Sequence, residues 1–239
     1  MATPELVINT ASIVLRGVFE VSVLSPQNLA DQGLIDANEL ADATQKFSAN
    51  NISVLETKRI KFIGNQQLLQ FTAQEADDFE PLRDLASGAL RLLDSSQLSV
   101  LGINHDIHFA TANPAAWHAV GDALAPKGIW DDILKLAGTA SITIQGERAG
   151  KYAGYTQVTV QPSNLVKQGV FVSHNDHYTL EINDNPVSTR DQFEAVLRQA
   201  PTVSSEKVSI AINILNEEWE PSMTRSLAAI ERVAKQAQP

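Results

Sequence analysis

Two strand-like stretches hold four of the five histidines of this 239-residue chain. Residues 98–109 contain His105, Asp106 and His108, and residues 169–180 contain His174, Asp176 and His177. Imidazole beside carboxylate is the chemistry of divalent-metal ligands and of general acids and bases. In each stretch, however, the two histidines are three positions apart. Side chains alternate along a strand, so the two point to opposite faces and cannot grip one ion. Metal ligands on a single strand need spacing two, and on a helix three or four.

Alternation sorts the four into two kinds. His105 shares a face with Leu101, Ile103, Ile107 and Phe109, and His174 with Val170, Val172, Tyr178 and Leu180. These two are expected to point at the core, each satisfied by a hydrogen-bond partner. On the polar faces, His108 lies with Asn104 and Asp106, and His177 with Ser173, Asn175 and Thr179. If the two strands are neighbours, Asn104, Asp106, His108, Ser173, Asn175 and His177 converge on one patch. One chemistry there is a divalent metal on Asp106, His108 and His177, with an open position for hydrolysis. Another is acid–base work, with Asp106 fixing the tautomer of His108. The plain alternative is a sheet face covered by solvent or a partner.

What the chain lacks narrows the rest. There is no cysteine, which excludes disulfides, zinc–thiolate and iron–sulfur sites and thiol nucleophiles. No glycine-rich phosphate loop, nucleophile elbow or His-Glu-x-x-His motif occurs, so no organic cofactor is expected. The formal net charge of −10 disfavours nucleic acid and anionic membrane. No apolar run reaches the ~18 residues of a membrane span, and the first residues lack a secretory pattern; a cytoplasmic location is the simplest expectation.

The elements that position these residues follow from period and punctuation. Residues 13–23 alternate as a half-buried strand with Gly17 at a bulge, ended by Pro26. Asp36 and Glu39 form a capping box for a helix that buries Leu40, Ala43 and Phe47. Residues 52–63 and 67–72 read as a hairpin about Gly64-Asn65. Leu82, Leu85, Ala86, Ala89, Leu90 and Leu93 recur at helical spacing after Asp77-Asp78. With 98–109 as the next strand, residues 1–112 run βαββαβ, the order of a ferredoxin-like sandwich.

Residues 113–239 read as a second α+β half. A helix from Pro114 presents Ala116, Trp117, Val120 and Leu124, and a short one spans 130–137. Strands follow at 141–145, 157–161 and 170–182. Ser188 and Asp191 cap a helix through Phe193, Val196 and Leu197, residues 208–215 alternate as a strand, and Pro221 opens a last helix. Trp117 and Trp130 read as core or subunit-contact residues. Glu217-Glu218-Trp219-Glu220 reads as the acidic start of the last helix, and 183–186 as a turn.

The resulting expectation is an α+β protein of mostly antiparallel sheet with helices on one face, its halves joined at 112–113 or continuous. With no catalytic motif, cofactor loop or basic surface, the expected function is non-enzymatic binding, to itself as a homo-oligomer or to another protein. The alternatives are the metal-dependent hydrolase and a small-ligand sensor with a pocket between the halves.

Overall fold

In the computed structural model the described residues are 6–47, 52–94, 96–130, 132–148, 150–180 and 205–237. They form an α+β fold around one nine-stranded antiparallel sheet. The strands are β1 (Leu6–Val18), β2 (Thr44–Phe47), β3 (Ser53–Glu56), β4 (Ile60–Gly64), β5 (Leu68–Ala73), β6 (Gln97–Ala110), β7 (Ile142–Glu147), β8 (Gly154–Pro162) and β9 (Gly169–Thr179). Their order is β2-β3-β4-β5-β1-β6-β9-β8-β7. The helices are α1 (Pro26–Asp31), α2 (Ala37–Asp42), α3 (Phe79–Leu92), α4 (Pro114–Leu124) and α5 (Ser205–Lys235).

The order follows a simple rule. Each long strand pairs with the last strand of the meander after it, β1 with β5 and β6 with β9, and the two long strands pair with each other. The arrangement thus repeats in the two halves without any repeat in sequence. It is not a simple ferredoxin layout. Residues 52–63, expected as one strand, fold back on themselves as β3 and β4, with the Thr57 side chain bonded to the turn at Ile60. The extra strand β2 then pairs on β3.

The alternation read for β1 is present. Ala11, Ile13 and Leu15 are wholly buried, and Arg16 is exposed. The ladder shifts register between Arg16 and Gly17, as the bulge reading expects. A Cβ on Gly17 would sit 2.0 Å from the Gln97 carbonyl oxygen, so only glycine fits this crossing. The Asp36–Glu39 capping box also forms in full. The strand expected to run to residue 23 and end at Pro26 stops at Val18; Val21–Leu24 form a 3-10 turn, and Pro26 instead opens α1 behind a Ser25 cap.

α3 and α5 lie on one face of the sheet and contact each other. From α3, Leu82, Leu85, Ala86, Ala89 and Leu90 are buried at helical spacing, each leucine worth about 1.5–3 kcal/mol of burial. α5 overturns two expectations. Residues 208–215 are helix, not strand, and the last helix starts at Ser205 and continues through Pro221. Val208, Ala211, Leu215, Trp219, Ser222, Ser226, Ile230 and Val233 form its buried stripe. An alternating run of eight residues fits both periods, and the covering role selected the helical one. Pro221 removes one backbone donor and crowds the carbonyl of Glu217, a cost of about 3 kcal/mol that burial on both sides offsets.

The helix expected at 130–137 is a single 3-10 turn, Gly128–Trp130, followed by irregular chain with Leu136 at φ 57°. The helix read at 188–197, the turn at 183–186 and the end of the strand read at 170–182 lie outside the described residues.

Gly154 tests the close packing of β8 on β9. Its φ is +150°, and a Cβ there would lie 1.8 Å from the His177 carbonyl oxygen. Gly154→Ala is expected to lower the unfolding free energy by at least about 2 kcal/mol. Gly128→Ala, with no atom within 4 Å of the added methyl, leaves the denaturation midpoint unchanged or slightly higher. Urea titrations of both variants check the pair.

Candidate functional site

The two histidine strands are neighbours. β6 and β9 pair antiparallel, with Asn104 opposite Asn175, Asp106 opposite Ser173 and His105 opposite His174. The ladder brings Asn104, Asp106, Ser173 and Asn175 together on one face. It does not bring His108 and His177 together. His108 faces Phe171, whereas His177 faces Gly102, six residues further along β6. At about 3.3 Å per residue that is roughly 20 Å, far beyond the span of one coordination sphere. Among the described residues no group of three possible metal ligands of the His, Asp or Glu type is found.

Each polar-face histidine is engaged locally. His108 Nδ1 lies 2.7 Å from Ser163 Oγ, and its ring packs on Phe171. Ser163 Oγ already accepts from the N–H groups of Leu165 and Val166. Its own proton therefore goes to His108, which carries its ring proton on Nε2. Ser163, not Asp106, sets this tautomer. Burial lowers the His108 pKa, outweighing the pull of Asp106. Burial raises the Asp106 carboxyl, opposed by a hydrogen bond from Ser173, and one of its oxygens has no protein partner. His177 stacks on Tyr155, and burial, with Arg16 nearby, lowers its pKa to about 4.

On the helix-covered face, His105 and His174 are both buried as expected. His105 Nε2 meets Asn9 Oδ1 at 2.6 Å, and Nδ1 meets Ser226 Oγ of α5 at 2.8 Å. With Asn9 presenting its oxygen, the ring donates through Nε2 and accepts the Ser226 proton at Nδ1. Serine, histidine and asparagine thus stand in the order nucleophile, base, orienter. Ser226 is 0% exposed and His105 2%, so a substrate has no approach, and the arrangement serves to seat α5 on the sheet. Burial, reinforced by His174, lowers the His105 pKa to about 4.

Asp176 is the group the sequence reading passed over. Alternation puts it on His174's face, and it is wholly buried. Arg225 of α5 donates to its Oδ2 through Nη2 at 2.7 Å and Nε at 3.1 Å, and Thr156 donates to Oδ1. Arg225 also reaches Glu218 Oε2 at 3.3 Å, which Arg148 approaches at 3.4 Å. Arg148 lies 4.1 Å above the Tyr178 ring and donates to the Tyr152 carbonyl. Charges alternate along Asp176, Arg225, Glu218 and Arg148, so Glu218 is part of a buried network and not the start of a helix. A carboxylate on a core-facing strand position was the signal available in sequence: it requires a cation from the covering element. His174 Nδ1, Ser222 Oγ and the Tyr178 hydroxyl, all in this layer, lack a protein partner.

Two clefts lie elsewhere. One of about 80 Å³ runs between α4 and the β8–β9 end, lined by Trp117, Val120, Leu124, Val160, Pro162 and Val170. The other, about 270 Å³, is bounded by Leu34, Glu39, Arg59 and Asp84. Both are below the ~300–1,000 Å³ of small-molecule sites.

The surface feature of the second half is apolar. Leu124, Ile129, Trp130, Ile133, Leu134 and Leu136, then Ile144 of β7, are exposed, with Leu136 94% and Ile129 79% accessible. Trp117 is half-buried and donates from Nε1 to the Gly169 carbonyl, whereas Trp130 faces outward. Thr139 holds the strip beside α4 through the Gly121 carbonyl. On β7, Ile144 lies in register with Val158 and His174, on the helix side of the sheet.

No family model matches the chain, and no curated protein is similar to it.

Two outcomes follow from the buried layer. Asp176→Asn strands Arg225 and is expected to cost about 3 kcal/mol, the lower end for breaking a buried pair because Arg225 is 32% exposed. The double variant Asp176→Leu, Arg225→Met costs less than either single change, as a double-mutant cycle by urea denaturation would show. His105 and His177 take up protons near pH 6.5 when unfolded and near 4 when folded. Stability is therefore full above about pH 6.5 and falls as pH drops towards 4. In His105→Gln the slope across this window is smaller by up to one proton, about 1.4 kcal/mol per pH unit.

Proposed function

We propose that the protein is a non-enzymatic binding protein that acts by protein–protein association, with itself or with another protein. The observation that carries this reading is the run of exposed large apolar side chains from Leu124 to Leu136, with Ile144 also exposed on the strand that follows. Monomeric proteins seldom expose a contiguous apolar patch beyond about 300–600 Å². Seven large apolar side chains at this exposure approach the ~800 Å² per partner of a standard interface. The histidine strands support the same reading: His108 is held by Ser163 and His105 by Asn9 and Ser226, and His177 is stacked on Tyr155, which are structural tasks.

We further propose that the β6-β1-β5-β4 order preserves the ferredoxin-like element read in residues 1–112. Residues 113–239 extend its sheet as one continuous unit, working in the cytoplasm. The Asp106, His108 and His177 hydrolase is disfavoured by the roughly 20 Å between its histidines along the ladder. The two clefts described, of about 80 and 270 Å³, give the sensor reading no support.

The test pairs Ile129→Ser with Leu136→Ser in the full chain. Both positions are exposed, so stability stays within about 0.5 kcal/mol. The wild-type protein is expected to show a mass above the monomer or to retain a specific partner, and the variant to lose it. A wild-type chain that is monomeric at high concentration and retains no protein would remove the reading.

A further inference from the structure

We propose that β7 is the docking edge for a second copy of this chain. Two β7 strands pair antiparallel about a twofold axis at Ile144, joining two nine-stranded sheets. This assembly rests on the partner-binding reading above and names its partner and contact.

β7 ends the sheet: among the described residues it pairs only with β8. Its outer row of N–H and C=O groups is therefore a template for another strand. The devices that block such pairing are missing. Ile142–Glu147 contains no proline and no lysine, its ladder with β8 runs without a bulge, and its one charge is Glu147. From Thr143 to Glu147 every residue is exposed, with Ile144 66% accessible.

The strand is also self-complementary. Centred on Ile144, antiparallel pairing sets Ile144 against Ile144 of the second copy, Thr143 against Gln145, Ile142 against Gly146, and Ser141 against Glu147. No like charges meet, and the apolar pair lies on the helix side of the sheet, while Thr139, between the strip and β7, is bonded to α4. The strip runs directly into β7 along the chain, so the twofold sets the start of both strips' connections at the junction. The exposed area per copy is of the order a stable interface buries, ~800 Å². Each copy carries a formal charge of −10, so screening by salt strengthens the association.

The full chain is measured by sedimentation and light scattering over a wide concentration range. A dimer is expected, tighter at higher ionic strength. Ile144→Lys sets two ammonium groups face to face and raises the dissociation constant at least about tenfold, with circular dichroism unchanged. The chain has no cysteine, so register can be read by cross-linking. Ile144→Cys oxidises to a disulfide dimer. Thr143→Cys mixed with Gln145→Cys also cross-links, and each alone does not, because only opposed residues come within disulfide reach.

A monomer at every concentration, or a dimer indifferent to Ile144→Lys, overturns β7 pairing. If such a dimer is dissolved by Ile129→Ser with Leu136→Ser, or such a monomer retains another protein through the strip, binding by the strip stands and only the β7 contact fails. If the strip variant changes nothing, both fail.

Discussion

The fold depends on how two strands that turn polar groups into the core are covered. β6 buries His105, and β9 buries His174 and Asp176, on the face where Leu101, Ile103, Val172 and Tyr178 make apolar core. A carboxylate in such a place needs a cation and further donors. α5 supplies them: Arg225 for Asp176, Ser226 for His105, and Glu218 to balance Arg225 and Arg148. Trp219, Ile230 and Val233 bury apolar surface from the same helix. Polar pairing and apolar packing together fix where this helix sits and how it is rotated. An apolar helix of equal length could slide or turn on the sheet, whereas one carrying Arg225 and Ser226 has one good seat.

That seat has a second consequence. The imidazoles that would interest a chemist are spent on holding the structure. His105 is bonded on both nitrogens inside the core, and His108 is locked by a serine that already serves two backbone amides. The large apolar side chains left outside lie between Leu124 and Leu136 and at Ile144 of β7. Among the described residues the polar chemistry is buried and large apolar side chains are exposed, and that contrast is what supports the proposal of association.

Much of the fold was legible in the sequence where local rules are strong. The β1 alternation, the Gly17 bulge, the Asp36–Glu39 box, the α3 stripe and the facing of the four histidines all follow from residue type and period. Where two periods fit, the sequence misled. Residues 208–215 alternate as a strand would, yet Val208, Ala211 and Leu215 also fall at helical spacing, and only the sheet beneath them selects the helix. Glu217 to Glu220 then changed meaning, from a helix start to a mid-helix segment whose Glu218 faces the buried Arg148 and the half-buried Arg225. Residues 52–63 concealed a turn because Thr57-Lys58-Arg59 carries no glycine or proline.

By itself the sequence determined which side chains share a face, because alternation is a property of one strand. It also determined that thiol chemistry is out of reach, because the chain has no cysteine. Only the tertiary structure decided who meets whom. That β6 and β9 are neighbours, and that their register sets Asp106 on Ser173 while parting His108 from His177, depends on non-local pairing. A register is fixed by the burial of whole faces and the closure of the loops between, and neither is written in any short stretch of sequence. The same holds for Asp176: its place on a face could be read from the chain, but its partner, 49 residues away on a covering helix, could not.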